Sequence, residues 1–124
     1  ASTFGGNPVV CAASLPVVQD IIKDGFLTAV TSKAAYLREK LLSLQSSYPD
    51  LVKEVRGKGL MIGVELQKGG QRIREICQEK GLLVNCIGEN TLRFLPPLNV
   101  AKEELNSALE ILETALVQYR SERS

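Results

Sequence analysis

The chain has 124 residues, 44% hydrophobic and 23% charged, which bounds it at one ordinary globular domain with a single core. With 15 basic against 14 acidic residues its net charge is +1, so no electrostatic footprint argues for nucleic acid or an anionic membrane as partner. No apolar run approaches the roughly 18 residues that cross a bilayer, and the first residues carry no charged-then-apolar leader pattern.

The chain opens on Ser2-Thr3-Phe4-Gly5-Gly6-Asn7-Pro8, two hydroxyls and a glycine turn running into a helix start. Asn7 suits the capping position and Pro8 the first turn, where a missing N–H is harmless. Val10, Ala13, Val17 and Ile21 continue an apolar face until Lys23-Asp24-Gly25 stops it, and Pro16 within this run predicts a kink or a division. A second helix follows, with Leu27, Val30, Ala34, Leu37, Leu41 and Leu44 forming one stripe at helical spacing, ended by Ser46 to Asp50.

Val52 to Gly59 then reads as a strand broken by glycines, with Gly57 and Gly59 predicting a bulge or tight bend. Leu60, Ile62, Val64 and Leu66 alternate with Met61, Gly63 and Glu65, the period of a half-buried strand. Gly69-Gly70 opens a short helix with Ile73, Ile76 and Cys77 inward, and Gly81 closes it. Leu82 to Ile87 and Thr91 to Leu95 read as two strands around a Gly88-Glu89-Asn90 turn, the second halted by Pro96-Pro97. Leu105, Leu109, Leu112, Leu116 and Tyr119 mark a last helix. Asn99 has the better capping chemistry for it, whereas Ala101 has Glu104 three residues on but no side-chain oxygen. Arg120 to Ser124 reads as a frayed tail. The order ααββαββα, with strands joined by short turns, predicts an α+β two-layer fold: a small, mainly antiparallel sheet covered by helices.

Few residues carry chemistry. Cys11, Cys77 and Cys86 have no CxxC spacing and no histidine beside them, which predicts reduced thiols in a cytoplasmic protein and no metal site. Lack of histidine also removes the usual general base and the Ser-His and Cys-His nucleophile pairs. Ser2, Thr3, Gly5 and Gly6 before a helix start make an anion cradle, and serve equally as a plain turn and cap. In a strand of period two, Thr91, Arg93 and Leu95 share one face, so Arg93 projects at a strand end beside the proline pair. Its guanidinium fork grips a carboxylate bidentately as lysine cannot; a solvated strand arginine fits the same pattern. Lys58, between two glycines, reads as a flexible surface lysine. Glu65 reads as a solvated carboxylate, and Arg72 and Arg74 as the polar face of their helix.

Three blocks in this order carry a resemblance. Ser2 to Pro8 with Cys11-Ala12-Ala13, Val55-Arg56-Gly57-Lys58-Gly59-Leu60-Met61-Ile62-Gly63, and Leu92-Arg93-Phe94-Leu95-Pro96-Pro97-Leu98 together resemble the C-terminal part of class III, fold-type I, pyridoxal-phosphate aminotransferases, in particular the acetylornithine aminotransferases. The likeness covers nearly the whole chain. It implies a C-terminal small domain over 25–124 preceded by an interdomain segment and helix over 1–24. It further implies pyridoxal 5'-phosphate as cofactor of the full-length enzyme, N-acetylornithine and 2-oxoglutarate or glutamate as substrates, and a cytoplasmic homodimer in arginine biosynthesis. Thr3 matches the threonine that contacts the cofactor phosphate held mainly by the partner subunit. Ser2 matches the neighbour that touches acetylornithine, and Arg93 the arginine that binds the substrate α-carboxylate.

No lysine here matches the one that carries the cofactor, and the family's pyridinium aspartate and ring-stacking aromatic have no counterpart either. The expectation is therefore a fragment without catalytic residues of its own, inactive in isolation, whose missing parts lie upstream. Ornithine and 4-aminobutyrate aminotransferases remain alternatives, as does a noncatalytic dimerisation or binding module.

Overall fold

The computed structural model describes residues 2–123. Its elements run α1 (Pro8–Ile21), α2 (Phe26–Ser47), β1 (Val52–Lys58), β2 (Met61–Leu66), α3 (Gly70–Glu79), β3 (Asn85–Ile87), β4 (Thr91–Phe94) and α4 (Lys102–Ser121). The four strands form one sheet in the order β1-β2-β4-β3, and every pairing is antiparallel. This is the α+β architecture that the periodicities predict.

A single core lies between one face of the sheet and the inward stripes of α2, α3 and α4. Leu37 and Leu41 of α2, Ile73, Ile76 and Cys77 of α3, and Leu112 and Leu116 of α4 are fully enclosed there with Ile62, Val64 and Leu92 of the sheet. Each such leucine or isoleucine stabilises the fold by roughly 2 kcal/mol through apolar area removed from water. The α2 stripe fades at its start, where Leu27 is 57% exposed. Burial pushes the Cys77 thiol up to about 11, so it behaves as a small apolar core residue.

The β1–β2 hairpin turns through Gly59-Leu60, between the paired residues Lys58 and Met61. Gly57 continues the strand at φ 143°, and a Cβ there would sit 2.1 Å from the Met61 carbonyl oxygen, so only glycine allows β2 this close. Of the bulge or tight bend predicted at Gly57 and Gly59, the tight bend is the one formed, and the strand's bulge lies between Val52 and Glu54. One extra residue at that point brings Val52 and Val55 both to the core, a spacing of three that simple alternation cannot give.

Other departures have local causes. α1 runs unbroken through Pro16. All its residues but Ile21 are exposed, so the Ala12 carbonyl left without a donor is open to water. Residues 82–84 are not strand: the Leu82 N–H donates to the Cys77 carbonyl at 2.8 Å and completes the end of α3, leaving β3 only three residues. Ala101, not Asn99, precedes α4, and the Glu104 carboxylate accepts its N–H at 2.7 Å. The predicted frayed tail is ordered through Ser121 in α4, and Glu122 accepts Arg72 Nε at 2.9 Å and Nη2 at 2.7 Å. Ser124 lies outside the described residues.

Candidate functional site

With Leu92 and Phe94 committed to the core, the pleat turns Thr91 and Arg93 to the opposite, open face of the sheet. There the register sets Arg93 directly across from Gly63 of β2, and Gly63 across from Arg56 of β1. Two guanidinium-bearing residues thus flank a position with no side chain. The groove over them, about 410 Å³ in volume, is lined also by Lys58, Met61, Ile87 and Thr91. It is a cationic depression with apolar sides.

The two arginines differ in their partners. Arg56 donates to the Glu65 carboxylate and, at 3.1 Å, to Glu54. Lys53 reaches the other Glu65 oxygen at 2.6 Å, and this pair of cations holds the Glu65 carboxyl below its ordinary value. Glu65 is therefore the bridging anion of a four-residue ion cluster with Lys53, Arg56 and Glu54, its side chain 23% exposed, and not the solvated carboxylate that alternation predicts. Among the described residues, no hydrogen bond or ion pair engages the Arg93 side chain. A guanidinium on an open face without a carboxylate partner is a ready receptor for one.

Ser2 and Thr3 are held in a turn whose hydrogen bonds are all local. The Gly5 N–H donates to the Ser2 carbonyl at 3.3 Å, and the Asn7 side chain caps α1 by accepting the Val10 N–H at 3.0 Å. Both hydroxyl residues are exposed, and the first turn of α1 carries no acidic side chain. A Cβ at Gly5 would press on Ser2 Oγ at 3.2 Å, so glycine keeps the hydroxyl clear. The two exposed hydroxyls, at the positive end of a helix and with no acidic side chain in its first turn, fit the phosphate of a cofactor such as pyridoxal phosphate, although Asn7 already takes the Val10 N–H.

The structure does not join this turn to Arg93. The groove beside Arg93 has no lining residue from 2–24. The far end of α1 is the docked one, where Val17 and Ile21 line a crevice with Phe26, Leu98 and Asn99. Fourteen helical residues carry Ser2 and Thr3 about 20 Å away from it.

Lys58 is exposed at the hairpin end, as expected. Arg72 lies on the polar face of its helix, as expected, and is there the bidentate partner of Glu122, tying α3 to the end of α4. Sequence reasoning missed Gly63 and the Glu65 cluster. The signal for both lay in the two-residue hairpin turn, which fixes their cross-strand partners once it is recognised.

The family model for class-III aminotransferases matches residues 1–116. The acetylornithine aminotransferase of Caldanaerobacter subterraneus subsp. tengcongensis is 49% identical over 121 residues, covering 97% of this chain and 30% of that protein. Among solved structures, the acetylornithine aminotransferase from Elizabethkingia anophelis superposes with a TM-score of 0.84 at 26% identity, over 95% of this chain and 32% of that one. The ornithine aminotransferase from Toxoplasma gondii, whose structure is described as showing partial occupancy of PLP at its active site, gives 0.85 at 26% identity, over 99% and 30%. The chain spans about 30% of the length of the curated relative it matches. On the extent of the family match and the identity to its members, the chain belongs to the class-III aminotransferases.

Proposed function

We propose that this chain is the C-terminal small domain, with its preceding interdomain helix over 1–24, of a pyridoxal-phosphate-dependent acetylornithine aminotransferase. The whole enzyme moves the amino group of N-acetylornithine to 2-oxoglutarate, giving N-acetylglutamate semialdehyde and glutamate in cytoplasmic arginine biosynthesis. When bound, the cofactor supplies the electron sink and carries the amino group between the two substrates. Arg93 receives the α-carboxylate of each substrate in turn and so fixes the α-carbon relative to the cofactor. Thr3 donates its hydroxyl and backbone N–H to the phosphate of a cofactor bound mainly by the partner subunit of a homodimer. Ser2, beside it, contacts the acetylated substrate.

That Ser2 and Thr3 stand far along α1 from its docked end supports assigning them to a site other than the one Arg93 serves in the same subunit. The isolated chain offers the clamp without a residue matching the cofactor lysine, and is inactive by itself. Relatives named for acetylornithine over nearly the whole chain favour that donor over ornithine.

The observation that carries the reading is Arg93, unpaired among the described residues on the open sheet face. Arg93→Lys in the full-length enzyme keeps the charge and removes the fork. We expect kcat/KM for both N-acetylornithine and 2-oxoglutarate to fall about tenfold to a hundredfold, the worth of a charge-assisted pair at roughly 1.5–3 kcal/mol. Unchanged kcat/KM for both substrates, in a variant with normal cofactor absorbance, would refute the assignment.

A further inference from the structure

Gly63 is a glycine that its own backbone does not require. It lies within β2 and is not among the glycines with positive φ. The nearest atoms to an added Cβ are Thr91 Cγ2 at 3.4 Å and the Arg56 carbonyl oxygen at 3.8 Å, both ordinary contacts. Glycine inside a strand weakens it, through backbone entropy and through the packing it forgoes. β2 is moreover an interior strand, paired on both sides, where a β-branched residue fits best. Gly57, by contrast, is enforced by a Cβ position 2.1 Å from the Met61 carbonyl oxygen. The missing side chain at 63 therefore serves something outside the local fold.

Position 63 sits between Arg56 and Arg93 on the open face, one strand spacing of about 4.8 Å from each. Arg56 is turned into the ion cluster with Glu54 and Glu65. The notch beside Arg93 thus stays open on that side, and a strand with no side chain lets a ligand lie close to the sheet. We infer that Gly63 is a specificity-determining position: by leaving this notch empty it admits the substrate carboxylate to Arg93. This rests on the reading of Arg93 as the carboxylate clamp.

The test uses the full-length holoenzyme with Gly63→Ala, Gly63→Val and, separately, Arg93→Lys. Gly63→Val should melt at or above the parent, since valine suits an interior strand. Its KM for N-acetylornithine and 2-oxoglutarate should rise about tenfold, as should the dissociation constant of glutarate, a dicarboxylate that binds without reacting, measured by calorimetry. Gly63→Ala should shift the same constants in the same direction by less. A stable Gly63→Val enzyme with unchanged KM and glutarate affinity overturns the inference. Should valine prevent folding, the alanine variant decides, and glutarate binding equal to the parent's overturns it. Arg93→Lys separates the two failures. If lysine there weakens glutarate and Gly63→Val does not, only the role of Gly63 falls; if Arg93→Lys leaves glutarate binding unchanged, the clamp assignment falls with it.

Discussion

Arg56, Arg72 and Arg93 share one side chain and are put to three uses, separated by the acceptor within reach. Arg56 bridges Glu54 and Glu65 across a hairpin, Arg72 grips Glu122 between two helices, and Arg93 meets no carboxylate among the described residues. The Arg72–Glu122 fork holds the Glu122 carboxyl down to about 2 from its ordinary value near 4.5, chiefly through the Arg72 hydrogen bonds and then through Gln118. A depressed carboxyl stabilises the fold above its unfolded value, and that contribution is lost as pH falls from about 4.5 toward 2. We therefore expect Glu122→Gln to lower the melting temperature of the chain at pH 6, and the gap to the parent to narrow below about pH 4.5 and close only toward pH 2. A constant gap across that range would show that the pair contributes no pH-dependent stability. At this scale the sequence showed Arg93 clearly, because alternation within one strand decides its face. It hid the fates of Arg56, Arg72 and Glu65, because their partners lie on other elements and register is not written in any single segment.

The elements were legible where one strong period ran without interruption. α2 and α4 declare themselves by leucines at helical spacing, and β2 by its alternation, because burial on one side leaves little freedom in the pattern. What escaped was set by contacts between elements. The bulge at Val52 and Glu54 exists to bring two valines inward, and β3 is shortened because Leu82 completes α3. α1 is the outlier among the helices, with no buried residue and with Val9, Val10, Leu15, Val17 and Val18 all exposed. A helix without a packed face draws little stability from its surroundings. In the isolated chain, amide exchange should be fastest across Val10 to Ile21 and slowest in β2 and the Leu105–Leu116 stretch of α4. Protection of α1 equal to that of α4, in a monomeric sample, would contradict its reading as an interdomain helix that needs a larger body to cover it.

At the scale of the molecule, the chain is a two-layer domain whose helical face is packed and whose sheet face is open, carrying Arg56, Lys58 and Arg93 toward whatever lies over it. The proposed function uses that division: the open face supplies a substrate clamp to a site completed elsewhere. Neither composition nor periodicity indicates the substrate. The three motif blocks point to the family, and the family match over residues 1–116 supports them. The most direct test is a transaminase assay of the full-length enzyme with 2-oxoglutarate as acceptor, comparing N-acetylornithine with ornithine as donor. The account predicts kcat/KM at least about tenfold higher for the acetylated donor, a difference of roughly 1.4 kcal/mol in transition-state binding. Preference for ornithine would move the chain to a sister activity on the same fold, and activity with neither donor would contradict the assignment.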